Sequence, residues 1–258
     1  MIKGLWDRET VALMWLVAVF PLAIVWIHHG GLDAVGRLIF FLAVAGFWHV
    51  IFMLVRAQPP SWAGVVTALA LAILAQQELG LVPLLIGTSF GVVIAELVFG
   101  GWGRNVLNPA TVTLAFLGFG FPSAPWPDII VPVGWAAIPV ALIGILAGVM
   151  SLRIVAGAVL VLGIAWMMGL DMSETYPALL VGLVLLVCDP VASASTALGR
   201  WLNGILFGGL AAMFLAYWSE AAAVQIVVSA ALLASLVAPI LDEIAIALWL
   251  ARRRRRLG

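Results

Sequence analysis

Two short segments carry residue types that a very apolar chain has little reason to hold. One is FGGWGRNVLNPATV, residues 99–112; the other is LVCDPVASAST, residues 186–196. Each sets a polar side chain directly before proline, Asn108-Pro109 and Asp189-Pro190, and then runs into small and hydroxyl residues. The residue before proline is pushed out of helical geometry, which frees backbone carbonyls, while proline suits the first turn of a helix with Asn or Asp as its N-cap. Each segment therefore predicts a loop capped onto a new helix whose positive end faces a pocket for an anionic or polar group. The candidate binding residues are Arg104, Asn105, Asn108 and Thr111, with Asp189, Ser193, Ser195, Thr196 and Arg200. Asn108 and Asp189 serve equally as plain helix caps, and the three hydroxyls of the second segment serve equally as hydrogen bonds between helices. Asp189 and Glu96 are the candidates for ion coupling. A carboxylate at a membrane-helix centre costs roughly 2.5–3.5 kcal/mol on insertion scales, so it has a partner or a use. Arg104 and Arg200 are the expected partners of Asp189.

The elements that must position these residues are membrane helices. Of 258 residues, 65% are hydrophobic and only 9% charged, against about 25% charged in a soluble domain. Apolar runs near 20 residues, the length that matches about 30 Å of hydrocarbon, recur along the whole chain. This is an all-α polytopic membrane protein of one membrane domain, residues 1–258. Residues 1–10 lead into a spanning run without an A-x-A-like site, so no cleavable signal is expected. Hydropathy with Gly, Pro and charge as punctuation gives about ten spans, near 10–28, 38–55, 62–77, 81–98, 108–122, 135–150, 154–170, 177–197, 202–218 and 222–250. With the basic tail 252–258 cytoplasmic, an even count puts both termini on that side. Lys3, Arg8, Arg56, Arg104, Arg153 and Arg200 then also face the cytoplasm, and Arg37 alone lies outside, as the positive-inside rule requires. The arginine tail is also suited to anionic lipid.

The chain resembles itself weakly. GTSFG at 87–91 recurs as GILFG at 204–208, and each follows a hydrophobic run ending in a polar turn, QQE at 76–78 and CDP at 188–190. The two copies cross the membrane in opposite senses, which predicts two inverted five-helix repeats, about 10–122 and 135–250, with broken helices and a site at the midplane.

The stretch FGVVIAELVFGGWGRNVLNPA, followed by CDPVASAST, GRW and APILD, closely resembles the NqrB/RnfD family: the NqrB subunit of the sodium-translocating NADH:quinone oxidoreductase and the RnfD subunit of the Rnf complex. Phe99, Gly100, Gly101, Gly103, Asn105, Asn108, Pro109 and Ala110 carry the first motif, and Asp189, Pro190, Val191, Ala194, Ser195 and Thr196 the second. The resemblance runs from about residue 60 to about 255. It implies a urea-transporter-like core, a bacterial cytoplasmic-membrane location, partner redox subunits, a flavin (FMN or riboflavin) and quinone. Members with covalent FMN carry Ser-Gly-Ala-Thr. None of the seven threonines here (10, 67, 88, 111, 113, 175 and 196) follows Ser-Gly-Ala, and NPAT ending in Thr111 belongs to the first motif. A flavin here is therefore expected to be noncovalent. Between the motifs, where the family has a long outer segment, this chain has only SAPWPDIIVPVGW.

Other chemistry is poorly provided for. Only His28, His29 and His49 exist, and His49 alone falls inside a span, where a hydrogen-bonded structural histidine is expected before a haem ligand. The single Cys188 can neither form an internal disulfide nor hold an iron–sulfur cluster by itself. Trp102 is the candidate to stack on a flavin ring. No nucleotide-binding, nucleic-acid-binding or zinc pattern occurs, so NADH oxidation belongs to a partner. The expected function is a membrane subunit that passes electrons between a flavin or iron–sulfur partner and quinone, coupled to Na+ or H+ movement. The alternatives are a channel or transporter for a small polar solute, and a membrane anchor for a soluble reductase.

Overall fold

The computed structural model describes residues 7–257, with side chains up to Arg253; Lys3, Trp6, Gly258 and the side chains of the remaining arginines lie outside the described residues. Nine helices follow one another: α1 (Arg8–Arg56), α2 (Ala63–Leu74), α3 (Leu81–Phe90), α4 (Pro109–Gly120), α5 (Val131–Leu146), α6 (Leu152–Met167), α7 (Tyr176–Gly182), α8 (Ala197–Tyr217) and α9 (Ala223–Leu257). Two of them relax into π-helical turns before they stop, α3 through Gly91–Glu96 and α7 through Leu183–Val187. Among the described residues there is no strand.

Four helical stretches are long and apolar enough to cross a membrane: Arg8–Arg56, Leu81–Phe99, Ala197–Tyr217 and Ala223–Arg253. Five shorter apolar helices accompany them. The chain is a multi-pass membrane protein. Asp7 starts α1 by accepting a hydrogen bond from the Thr10 amide, and the Thr10 hydrogen bonds hold its carboxyl below the usual carboxylate range. Arg8–Arg56 is two helices joined at a kink at Gly31, whose φ of 58° leaves the helical region, and the spans expected at 10–28 and 38–55 fall on either side of that kink. A correction comes at 177–197. Helix there ends at Val187, and residues 188–196 are irregular up to the start of α8.

Packing follows from helix length. At 1.5 Å per residue, 12-residue α2 is about 18 Å long, well short of the hydrocarbon thickness. It is also apolar all round, and every residue from Val66 to Leu74 is buried. Such a helix belongs inside protein. α7 and its π turn are the same: Val181 to Asp189 are all buried. α6 and α8 wrap the second half, packed backbone to backbone where Gly157 meets Trp201 and Gly204 meets Ile154; a Cβ at either glycine would strike a backbone oxygen.

A short helix buried in an apolar surround exposes C-terminal carbonyls that lipid cannot satisfy. At the end of α2 the answer is Arg37. Its Nε donates to Ala72 O at 2.8 Å, and Nη2 donates to Ala75 O and Gln76 O. Gln76, itself fully buried, donates onward to Phe121 O, at the C-cap of α4, and to Ala124 O in the turn beyond it. Replacing Arg37 by Met should lower thermal stability in detergent by about 3 kcal/mol or more, since three buried carbonyls lose a charged donor. The exposed Arg56→Met should cost under about 0.5 kcal/mol. Equal melting temperatures for the two variants would refute the capping role.

Candidate functional site

The two proline motifs meet. Asn108 closes the glycine loop and caps α4: its Oδ1 accepts from the Thr111 amide at 3.1 Å, with Pro109 in the first turn. Its Nδ2 donates to Asp189 Oδ2 at 2.9 Å across 81 residues of chain, and to Leu185 O in the π turn at 3.4 Å. One amide thus starts α4, finishes α7 and clamps the aspartate. Both side chains are buried, at 1% and 0% exposure. The other oxygen of Asp189, Oδ1, accepts from the amides of Val191 and Ala192. Asp189 therefore organises a turn and does not cap a helix. That is one correction to the sequence-based expectation, because α8 begins only at Ala197, with Thr196 as its N-cap. The partner is a second correction. It is Asn108 and backbone, whereas Arg104 is exposed and the Nε of Arg200 donates to Ala194 O.

The glycines of the first loop are explained by its backbone. Gly100, Gly101 and Gly103 have φ of 109°, 86° and 93°, a region that L side chains avoid. Asn105 holds this path from within, accepting from the Gly103 amide and donating to Leu107 O. Thr111 sits in the first turn of α4, fully buried, and its Oγ1 has no protein partner among the described residues.

A second cluster binds the far end of the other loop. Asp242 on α9 accepts from both the amide and the hydroxyl of Ser195 and of Thr196. The hydroxyls of Ser195 and Thr196 are thus committed to a helix–helix tie. Ser193 contributes only a backbone bond, from its amide to Asp189 O. Asp242 is the partner of the second motif that sequence reasoning leaves out, although it ends the APILD stretch. Its signal is a carboxylate in an apolar helix.

The third cluster surrounds Glu96, 1% exposed at the end of the π turn that continues α3. Glu96 Oε1 accepts from the Trp102 amide at 3.1 Å and lies 3.2 Å from Nε2 of His49. Nδ1 of His49 lies 2.8 Å from Ala45 O, so it must donate there. The Nε2···Oε1 contact then needs one shared proton, as imidazolium with carboxylate or imidazole with carboxylic acid. The pair is neutral in net charge either way, which its burial demands. The ring of Trp102 stacks on Trp15 with centroids 6.3 Å apart, so it is packed inside the protein.

A chain with this arrangement has known relatives. A model of the NQR2, RnfD, RnfE family matches residues 4–130. Over those residues the chain is similar to this family. The likeness extends beyond that first half. The NqrB subunit of the Na(+)-translocating NADH-quinone reductase of Klebsiella pneumoniae (strain 342) is 28% identical over 307 aligned residues, covering 94% of this chain and 74% of the relative. The same subunit of Stutzerimonas stutzeri (strain A1501) is 27% identical, and that of Pseudomonas aeruginosa (strain LESB58) 26%, each over 83% of this chain and 67% of the relative. The 307-residue alignment is longer than the 258-residue chain, so the Klebsiella relative carries insertions that this chain lacks.

For an NQR2/RnfD-type chain, the question is whether these residues suit a flavin, whose ring edge presents hydrogen-bond donors and acceptors. The donor set fits in kind. Asn108 and Asp189 are occupied with one another, and the amides of the glycine loop already donate to Leu97 O, Glu96, Asn105 and Gly101 O, which leaves the unpartnered Thr111 hydroxyl and the exposed Arg104 guanidinium. A double-mutant cycle of Asn108→Ala and Asp189→Ala, read by thermal unfolding in detergent, should return a coupling of about 1.5–3 kcal/mol. Strictly additive losses would mean that the two side chains do not hold each other in the folded protein.

Proposed function

We propose that this chain is the membrane subunit of a multi-subunit oxidoreductase, passing electrons between a bound flavin and quinone or a partner redox subunit, with Na+ or H+ movement coupled to the transfer. Its relatives are subunits of Na(+)-translocating NADH-quinone reductases. The observation that carries the reading is the Asn108–Asp189 contact: two motifs far apart in sequence share one buried polar junction, a costly arrangement inside a membrane protein unless something is bound or moved there.

In this reading the core is two inverted five-span repeats, with the limbs of α1 either side of Gly31 counted as two spans. The packing supports it, since α2 lies on α4 as α7 lies on α9, and α3 lies on α4 as α8 lies on α9. The basic residues support a common cytoplasmic face. Arg8 reaches Pro59 O, Arg56 reaches Val98 O, and Arg104 lies against Gly100.

Each site residue has a role in this scheme. Arg104, Asn105 and Thr111 hold the flavin through the glycine loop and the first turn of α4. Asn108 and Asp189 fix that loop against the irregular segment 188–196, and Ser193, Ser195, Thr196 and Arg200 shape the segment. FMN or riboflavin, held without a covalent bond, would supply the one- and two-electron chemistry. Glu96, with the proton it shares with His49, and Asp189, the buried carboxylate between the two halves, are the ion-coupling groups.

The test is an absorbance and fluorescence spectrum of the purified protein before and after acid precipitation. Flavin released into the supernatant is the expected result. Flavin in the pellet would mean a covalent bond to a threonine and would overturn the noncovalent assignment. A colourless folded protein would overturn the flavin reading and favour solute transport. Replacing Asp189 with Leu should abolish turnover in the assembled complex while the protein still inserts. Normal insertion, assembly and turnover would sink the site.

A further inference from the structure

The last turns of α9 form a surface that the electron-transfer reading does not use. Ala245, Leu248, Trp249 and Arg252 follow one another at i, i+3, i+4 and i+7, so they share one helical face. Opposite them stands the first turn of α8, with Thr196 and Leu198, and the two helices enclose a groove of about 300 Å³. Its wall is apolar and outward-facing: Leu248 and Trp249 are 45% and 57% exposed. One end is basic. Arg252 lines it, and the Arg253 guanidinium lies 5.3 Å from the centre of the Trp249 ring. Among the described residues neither arginine is in a salt bridge. The nearby carboxylate of Asp242 lies ten residues back along α9, about 15 Å at helical rise, and is taken up by Ser195 and Thr196.

We propose that this groove binds an anionic phospholipid, with one acyl chain along Leu198, Leu248 and Trp249 and the phosphate at Arg252 and Arg253. The match is one of charge and shape together. An apolar channel that ends in arginines and an interfacial tryptophan complements an amphiphile with a negative head. A soluble anion would leave the apolar wall uncovered, and a zwitterionic lipid would leave the arginines without a net counter-charge. The occupant ties α8 to α9 at the end where Thr196 and Asp242 already join them, so the lipid extends an existing contact. The proposal is independent of what the core transports or reduces.

The test is native mass spectrometry of the full chain, with the subunits that accompany it, after incubation with phosphatidylglycerol or phosphatidylcholine. A phosphatidylglycerol adduct should survive activation that removes phosphatidylcholine. Arg252→Gln with Arg253→Gln should lower its retention roughly thirtyfold, from about 1 kcal/mol for each basic residue near an anionic surface. Leu248→Trp, which fills the groove without changing charge, should lower it as well. Gln at Arg56 and Arg153, exposed arginines that do not line the groove, should leave retention within about threefold, because those charges act only through the general field. Equal retention of the two lipids, or equal loss from both sets of arginine substitutions, would overturn the groove site.

Discussion

A backbone carbonyl that ends a helix in hydrocarbon, with nothing to donate to it, costs several kcal/mol, and this protein contains short buried helices whose ends face that cost. The three ends are met by three different side chains, each from a distant part of the chain. Arg37 closes α2, Gln76 closes α4, and Asn108 closes the π turn after α7. The dependence runs in a circuit. Gln76 stands just past the end of α2, whose carbonyls Arg37 holds, and Asn108 stands at the start of the helix whose end Gln76 holds. Arg37 from α1 therefore supports α2, α2 carries Gln76 to α4, and α4 carries Asn108 to α7 and Asp189. Loosening one end would be felt at the others, because each cap is also an anchor for the next.

The same caps account for Arg37 within the proposed topology, in which it alone among the basic residues would face the outside. Its guanidinium is bound to the carbonyls at the end of α2. It is the only kind of side chain that can present several donors in a fixed fork to adjacent carbonyls, and Lys in its place would offer a single point of attachment. Two pressures thus set the positions of basic residues here, and Arg37 answers to packing.

Much of this is legible in the sequence, and the failures have physical reasons. Asn108 is readable as a cap because Asn-Pro at a helix start follows from steric and capping rules that are local. The same rules misread Asp189. Its Asp-Pro has the same local chemistry, but the donors it meets are Val191 N, Ala192 N and a side chain 81 residues away, so a turn forms and the helix waits for Thr196. The arginine partners expected for Asp189 follow from counting charges on one side of the membrane, which says nothing of distance. Asp242 and the His49–Glu96 pair escape as partners because each joins elements 46 or more residues apart, and one sequence carries no record of such proximity. The interruption at 188–196 is visible as an anomaly of composition, yet hydropathy alone runs the span through it.

The two carboxylates proposed for coupling sit in different electrical surroundings, and this bears on what each can do. Glu96 shares its proton with an imidazole, so the pair can stay neutral while the proton moves between Nε2 and Oε1. Asp189 has no such partner. Each of its contacts is a donor, from the Asn108 amide and two backbone N–H groups, and none is a base that could take a proton from it. A change of charge at Asp189 must therefore be matched from outside, by an ion or a proton arriving, or by a rotation of Asn108 that also uncaps α4 and releases Leu185 O. Of the two, Asp189 is the one whose charge state is mechanically linked to helix ends in both halves, so an event there can become a movement of the fold.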